Sequence, residues 1–448
     1  MQPNTVRQTW ERPISSPDTV PAAADVVVIG GGIVGASTAW FLSKQDVSVA
    51  LCEKGHIAGE QSGRNWGWVR AQGRDIRELP MVLESIRIWD GLSSEIGEDV
   101  GFTRGGCMFA ARSEKELAGF DEWLSIAKDY GLDTRIIRGA EFADQVEGLA
   151  TDWAGALYTA SDGRAEPHKA TAAIARAAVA NGAQILTGCA VRGIDIEAGR
   201  VSGVVTEHGT IKTQTVLCAA GAWTSMFCRS VGITVPQLKV RGTVARTAPG
   251  PEVLRGNLFD ARFGIRRRQD GGYTIAPGSL LEHPVTPSSF RFFFKFFRAL
   301  IAELKIVRIS FGREFIDEWR TPKTWSLESA SPFENTRVLD PKPNVKAIRK
   351  MHRDVSAVFP QLVGIDIVES WAGIIESTPD IVPVIDAAES LPGFYIATGF
   401  SGHGFGIAPG AGKAIAALLT GANTDIDLKP LRLSRFFDGS PIRPQSAI

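Results

Sequence analysis

Apolar residues first gather at Val26-Val27-Val28-Ile29, a β-branched run that follows Asp25 and stops at a glycine cluster. An apolar run without alternation suits a strand buried on both faces, as in a parallel sheet. A helical stretch, Ile33 to Ser43, comes next, and then a second apolar run, Val47 to Cys52. Strand, turn, helix and strand in that order predict a βαβ unit. Val82, Leu83, Ile86 and Trp89 recur at helical spacing within 80–97. A second helix-then-strand passage begins at Pro167, runs through the alanine-rich 170–180, breaks at Asn181-Gly182, and resumes as strands near 183–195 and 201–207. Another buried strand is predicted from Thr215 to Ala220, and a helix from about Ala408 through Pro409 to Leu419, closed by Gly421.

The glycine cluster changes the picture from fold to chemistry. Gly30-Gly31-Gly32-Ile33-Val34-Gly35 matches G-x-G-x-x-G. Gly30 makes the tight turn, Gly32 lets backbone approach a pyrophosphate, and Gly35 lets the helix pack on the strand. The helix N-terminus offers N–H groups and partial positive charge to the phosphates. Eighteen residues past Gly35, Glu53 ends the next predicted strand. A carboxylate there accepts the hydroxyls of a ribose and repels a 2′-phosphate, which disfavours NADP and leaves FAD and NAD.

Composition adds mainly exclusions. Among 448 residues, 49 basic side chains balance 49 acidic ones, so no global field favours nucleic acid. The five cysteines, Cys52, Cys107, Cys189, Cys218 and Cys228, are scattered without a CxxC pair. That argues against a disulfide framework or a metal knuckle, and a cytoplasmic location is expected. Residues 1–24 are polar and proline-spotted, without the apolar core of a secretory signal or membrane anchor, and read as a loose lead-in.

Four further passages decide between the dinucleotides. They are Ser62-Gly63-Arg64-Asn65-Trp66-Gly67-Trp68-Val69-Arg70; Asp162-Gly163-Arg164-Ala165-Glu166-Pro167; Val216-Leu217-Cys218-Ala219-Ala220-Gly221-Ala222-Trp223; and Trp371-Ala372-Gly373 with Thr378-Pro379-Asp380 and Gly399 to Gly406. In this order they resemble the FAD-dependent amine and amino-acid oxidoreductases that include D-amino acid oxidase, glycine oxidase and sarcosine oxidase. The resemblance implies an α/β fold with an α+β second domain. A discontinuous Rossmann-type FAD-binding domain is expected from 25–100, 160–235 and 366–448. A mainly antiparallel-sheet substrate domain is expected from 101–159 and 236–365. The cofactor set it implies is Gly30, Gly32, Ile33, Val34, Gly35, Glu53, Lys54, Ser62, Gly63, Arg64, Asn65, Gly67, Trp68, Val191, Ala220, Gly221, Trp223, Gly373, Ser401, Gly402, His403, Gly404, Phe405 and Gly406. Trp66 and Trp68 read equally as flavin-side aromatics or as core.

The implied chemistry is hydride transfer from the carbon beside an amine nitrogen to flavin N5, giving an imine that water hydrolyses. The substrate expected is a secondary or D-configured amino acid or a related N-substituted amine, with oxygen or a quinone or other carrier as electron acceptor. Members resembling D-amino acid oxidase carry an arginine shortly after Trp-Ala-Gly, where this chain has Ile374-Ile375-Glu376. A substrate carboxylate must find another partner: Arg70, Arg241, or one of Arg266, Arg267 and Arg268. The triplet precedes the hairpin signal Asp270-Gly271-Gly272-Tyr273, so alternation sends Arg266 and Arg268 to one face and Arg267 to the other. Trp371 joins this substrate set. His403 is either a polar contact to substrate or a backbone-bonded histidine, and with Arg70 it is the candidate catalytic residue. Monomeric sarcosine oxidase-like members link FAD through a late cysteine and dimethylglycine dehydrogenase-like members through an early histidine; with no cysteine after Cys228 and no histidine in 62–67, the resemblance implies non-covalent FAD.

The passage Phe290 to Leu300 places Arg291, Lys295 and Arg298 at i, i+4 and i+7 beside an aromatic face. It reads foremost as a second-domain helix buried on its aromatic side, with a subunit contact or a peripheral membrane contact as alternatives. Two other functions stand beside the amine reading. One is 2-hydroxy acid oxidation in the same fold, and the other is an FAD-bearing subunit of an electron-transfer complex.

Overall fold

Val26–Ile29 (β1) is fully buried and pairs in parallel with Val49–Glu53 (β2) on one side and Thr215–Cys218 on the other. These contacts are seen in a computed structural model that describes residues 14, 16–17, 19–303 and 306–444. Most of the lead-in, residues 1–13, 15 and 18, lies outside the described residues. Ile33–Ser43 (α1) follows β1 directly, as the apolar pattern predicts. The sheet has six strands in the order Val384–Ala387, Phe394–Thr398, Thr215–Cys218, β1, β2, Gln184–Thr187. Its first strand is antiparallel to its neighbour and the others run parallel. Both faces are covered, which is why these strands read as continuous apolar runs.

Helices α1, Leu79–Ile96, Pro167–Ala180 and Gly404–Thr420 cover one face. They approach closely because small residues meet: a Cβ on Gly412 would lie 2.6 Å from the Ser37 Cβ, and one on Gly410 would lie 2.3 Å from the Met81 carbonyl oxygen. The last helix begins at Gly404, four residues before the sequence-based start, with Pro409 inside it. Proline cannot donate to the preceding turn. Here the neighbouring helix supplies partners: the Gly406 carbonyl accepts from Ser85 Oγ and Trp89 Nε1, and the Gly410 N–H donates to Ser85 Oγ.

The second sheet has ten strands, mostly antiparallel, with parallel pairs only where Asn257–Asp260 meets Cys107–Ala111 and Leu281–Pro284 meets Val307–Ser310. Helix Val345–Val358 packs on it through Ile348, Met351 and Val355. Ile367–Ser377 lies antiparallel to Leu238–Thr247 over their whole lengths and so belongs to this sheet by its hydrogen bonds. A boundary at residue 366 therefore assigns one strand of the second sheet to the first domain.

The aromatic passage near 290 is not one buried helix. It breaks at Phe292 into Pro287–Arg291 and Phe293–Glu303. Only Phe292, Phe296 and Ala299 are buried, against Leu238, whereas Phe294 is 90% exposed. The expectation of a buried aromatic side holds for one stripe and fails for the rest, because among the described residues Leu238 is the one hydrophobic neighbour packed against the buried stripe.

Candidate functional site

One cavity of about 960 Å³ opens where β1, β2 and Thr215–Cys218 end, lined there by Gly30 to Val34, Glu53 and Ala219 to Trp223. Its size is at the upper end of the ~300–1,000 Å³ typical of ligand pockets. The position is the crevice beyond the carboxyl ends of a parallel sheet, where dinucleotides bind. Glycine is required at two points. Gly30 has φ +115°, and a Cβ there would lie 2.4 Å from the Ala219 carbonyl oxygen; at Gly35 it would lie 2.1 Å from the Gly30 carbonyl oxygen. At Gly32 the nearest atom is Ser62 Oγ at 3.2 Å, so the wall stays open at the start of α1.

Ser62 Oγ accepts the Ile33 N–H at 2.8 Å, capping α1 from 29 residues away. Glu53 accepts the Gly31 and Gly55 N–H groups at 2.7 Å each, and both oxygens retain capacity for a ligand hydroxyl. Burial raises its carboxyl above the usual range, against the pull of those two amides. Lys54 pairs with Glu60 at 3.0 Å and lies 4.1 Å from the centre of the Trp223 ring, whose Nε1 also donates to Glu60. Val191 completes this end of the wall.

The opposite wall comes from the 64–74 segment, strand residues Gly373 to Glu376, and the loop before the last helix. Arg64 lines the cavity while donating to Asp340 at 2.7 Å and to the Ala372 carbonyl at 3.0 Å. Asn65 holds its own loop, donating to the Ser62 carbonyl and accepting from Gly67. Trp66 and Trp68 both face the cavity, their rings edge to face at 5.4 Å. Gly373, Gly402, His403, Gly404 and Phe405 line it as well. Gly63, Gly35, Gly67, Ser401 and Gly406 are not wall residues. Gly67 has φ +79° and packs on Ala165, Ser401 Oγ donates to the Gly399 carbonyl, and Gly406 backs onto Trp68 and Val69.

The expected substrate residues separate. Arg70 reaches the cavity, its guanidinium 5.2 Å from the Phe109 ring centre and bonded to the Gln72 carbonyl. Arg266 and Arg268 are buried on one face and Arg267 is half-buried on the other, as strand alternation requires. Arg266 is bidentate to the buried Glu166, at 2.9 and 3.1 Å, and is turned away from the cavity. Arg241 pairs with Glu282 at 3.0 Å and is likewise off the wall. Trp371 is behind it, its Nε1 donating to the Arg64 carbonyl at 2.9 Å. These three belong to the supporting structure because each has a protein partner that occupies its polar group.

His403 caps the last helix and lines the cavity, with Nδ1 3.3 Å from Oε2 of the fully buried Glu78. Burial first, and then Arg74, hold its imidazole below the ordinary histidine range, while Glu78 acts in the opposite sense. Three acids and bases of this region were not marked by sequence reasoning. Arg74 lines the cavity and is pulled down to about 9 by burial and Arg70. Glu376, also on the wall, is pushed up to about 7 by burial. Asp162, behind it, accepts the Ala71 and Gln72 N–H groups and is pushed up to about 7 by burial. The tight 70–78 spacing of charges was the only sequence signal available for Arg74 and Glu78.

A family model described as DAO, FAD dependent oxidoreductase, matches residues 25–418. The chain belongs to the DAO family of FAD-dependent oxidoreductases. FAD is therefore the cofactor, and the glycine turn, the Ser62-capped helix and Glu53 are the features that fit it. The flavoenzyme is similar to the solved L-amino acid deaminase of Proteus myxofaciens, with 32% identity, TM-score 0.92, and coverage of 95% of this chain and 96% of that one. It is 26% identical over 435 residues to mouse mitochondrial sarcosine dehydrogenase, covering 93% of this chain but 42% of that protein. It is 24% identical to the glycine oxidase of Geobacillus kaustophilus, covering 92% and 97%. No described helix is long and apolar enough to cross a membrane, and no described cluster could hold a metal ion.

Proposed function

We propose that this flavoenzyme oxidises the Cα–N bond of an α-amino acid. The observation that carries this reading is Arg70, a guanidinium that lines the same cavity as Phe109, Phe120, Phe259, Leu281 and Ile375, with Arg74 and His403 among the polar residues of that wall. An arginine fork receives a carboxylate, and apolar walls favour the neutral amine whose lone pair assists hydride loss. Bound FAD supplies the two-electron oxidant. The substrate carbon gives up a hydride and the nitrogen a proton; water then adds to the imine, releasing ammonia or an amine and leaving a carbonyl compound. His403, held neutral, offers a hydrogen bond at the wall rather than a second cation. Full-length likeness to the L-amino acid deaminases supports an L-configured primary amino acid, in place of the D-configured or secondary one expected from sequence. The likeness to sarcosine dehydrogenases supports N-methyl amino acids as the second class to test.

The test is an anaerobic screen of L-, D- and N-methyl amino acids and hydroxy acids, following loss of the oxidised-flavin band. Bleaching by amino acids is expected, and bleaching only by hydroxy acids would replace this reading with the alcohol one. FAD is held without a covalent link in this reading. All five cysteines are buried, and only Cys52, beneath the glycine turn, borders the cavity. Yellow colour remaining in an acid precipitate would contradict it.

For the electron acceptor, the exposed aromatic surface favours a lipid-borne quinone. Phe290 and Phe315 touch edge to face and Phe315 stacks on Trp319, while Phe293 meets Phe294 and Phe297, so three short helices carry two aromatic clusters. Phe311 is 82% and Trp319 73% exposed. Exposed Arg298, Arg313 and Arg320 lie on these helices and Arg308 on the adjoining strand, interspersed with exposed Glu314 and Asp317, so any contact with anionic headgroups rests mainly on the aromatic residues. Sedimentation with anionic vesicles tests it; protein left wholly in the supernatant at low salt excludes the contact.

A further inference from the structure

The turn after Arg70 carries a second cation into the same cavity. Arg74 is 5% exposed and lines the cavity wall. Among the described residues its guanidinium makes one hydrogen bond, from Nε to the Arg70 carbonyl at 3.4 Å, and its buried Nη1 has no partner. Neither Glu78 nor Asp162, whose charges it feels, hydrogen-bonds to it among the described residues, and Glu78 Oε1 is left without a partner. Glu78 faces His403, and Asp162 accepts two backbone N–H groups. A guanidinium withdrawn from water in this way, beside a second one, is costly unless an anion joins it. Among the described residues, the opening that Arg74 borders is the cavity proposed above for flavin and substrate.

We propose that Arg74 is the anchor of the substrate carboxylate, with Arg70 completing the clamp from the side of Phe109. The assignment rests on the amino-acid reading above. It gives the cavity a specificity that Ile374 and Ile375 cannot supply: amino acids are accepted, and the amines that lack the carboxylate are rejected. It also accounts for the nearby His403 being held neutral, since a third cation there would be repelled by the other two.

The test compares the holoenzyme with R74M and R74K, using one amino acid that bleaches the flavin, the amine lacking its carboxylate, and acetate as a minimal anion. In the unaltered enzyme the amino acid is preferred, and acetate raises the melting temperature. In R74M the acetate shift vanishes and KM for the amino acid rises about 10- to 100-fold, the range that charge-assisted hydrogen bonds contribute. kcat changes much less, and the amine is unaffected. R74K keeps the charge without the fork, so a weakened acetate shift is expected; if R74M does not fold, this variant decides. An R74M or R74K protein that binds acetate and the amino acid like the unaltered enzyme makes Arg74 only a counter-charge for Glu78 and Asp162, and overturns the proposal. An unaltered enzyme that oxidises amine and amino acid equally well overturns the amino-acid reading itself, before any variant is considered.

Discussion

His403 Nδ1 lies 3.3 Å from Glu78 Oε2, joining the cap of the last helix to the turn that leads into Leu79–Ile96. Glu78 is fully buried, and its other oxygen has no partner. A wall residue at the flavin cavity is thus oriented by a carboxylate that never meets solvent.

The burial of His403 sets a pH dependence, against the pull of Glu78. The folded imidazole titrates below its ordinary value because burial and Arg74 oppose its charge. Its contribution to stability is complete above about pH 6.5, the unfolded value, and is lost as the pH falls below it. H403Q is expected to flatten that part of the melting-temperature profile between pH 7 and 5. Superimposable slopes for the two proteins would show that His403 is not held neutral.

Glu376 works in the opposite direction. Its folded carboxyl is pushed up to about 7 by burial, from an ordinary value of 4.5. The stability tied to its neutral form is complete below pH 4.5 and is lost as the pH rises through about 7. The size of the change is on the order of 3 kcal/mol. E376Q keeps the neutral form at every pH, so it should gain stability over the unaltered protein at pH 8 and much less at pH 5. Urea unfolding at the two pH values measures this, and an equal difference at both contradicts it.

Gly35 gives a test of the cofactor site. With a Cβ only 2.1 Å from the Gly30 carbonyl oxygen, α1 must move away from the turn. The cost exceeds the ~1–3 kcal/mol typical of overpacking, and it falls on the glycine turn that would hold the FAD pyrophosphate. G35V is expected to be purified colourless or to release FAD on dilution. A yellow G35V with unaltered cofactor affinity would mean that α1 does not hold the dinucleotide.

The buried pair of Arg266 and Glu166 distinguishes structure from binding. Each is 1% exposed, and they share two hydrogen bonds. E166A leaves a buried guanidinium uncompensated and should cost about 3–5 kcal/mol, whereas the apolar double replacement R266M/E166L should recover most of that. Folded double-variant enzyme should retain its KM for substrate. A large rise in KM in the folded double variant would return Arg266 to the substrate site.

Local pattern was enough for the dinucleotide half of this protein. β1 and β2 follow from unbroken apolar runs, as suits strands buried on both faces, and α1 spans Ile33–Ser43, the helical stretch expected between them. Gly30, Gly35 and Glu53 were legible because their tasks depend on spacing within one βαβ unit. The Ser62 cap on Ile33 was reachable only as resemblance, because the two residues meet across 29 positions.

Which arginines border the cavity was decided by tertiary structure. Arginines look alike in sequence; what separates Arg70 and Arg74 from Arg241 and Arg266 is whether a carboxylate from another segment already occupies the fork. Glu282 takes Arg241, and Glu166 takes Arg266 from 100 residues away. The same holds for the phenylalanines of 290–297, whose helical spacing defines an aromatic arc but not how much of it another element covers. Burial and ion pairing are properties of the assembled chain, and a one-dimensional pattern carries them only where both partners lie in the same short segment.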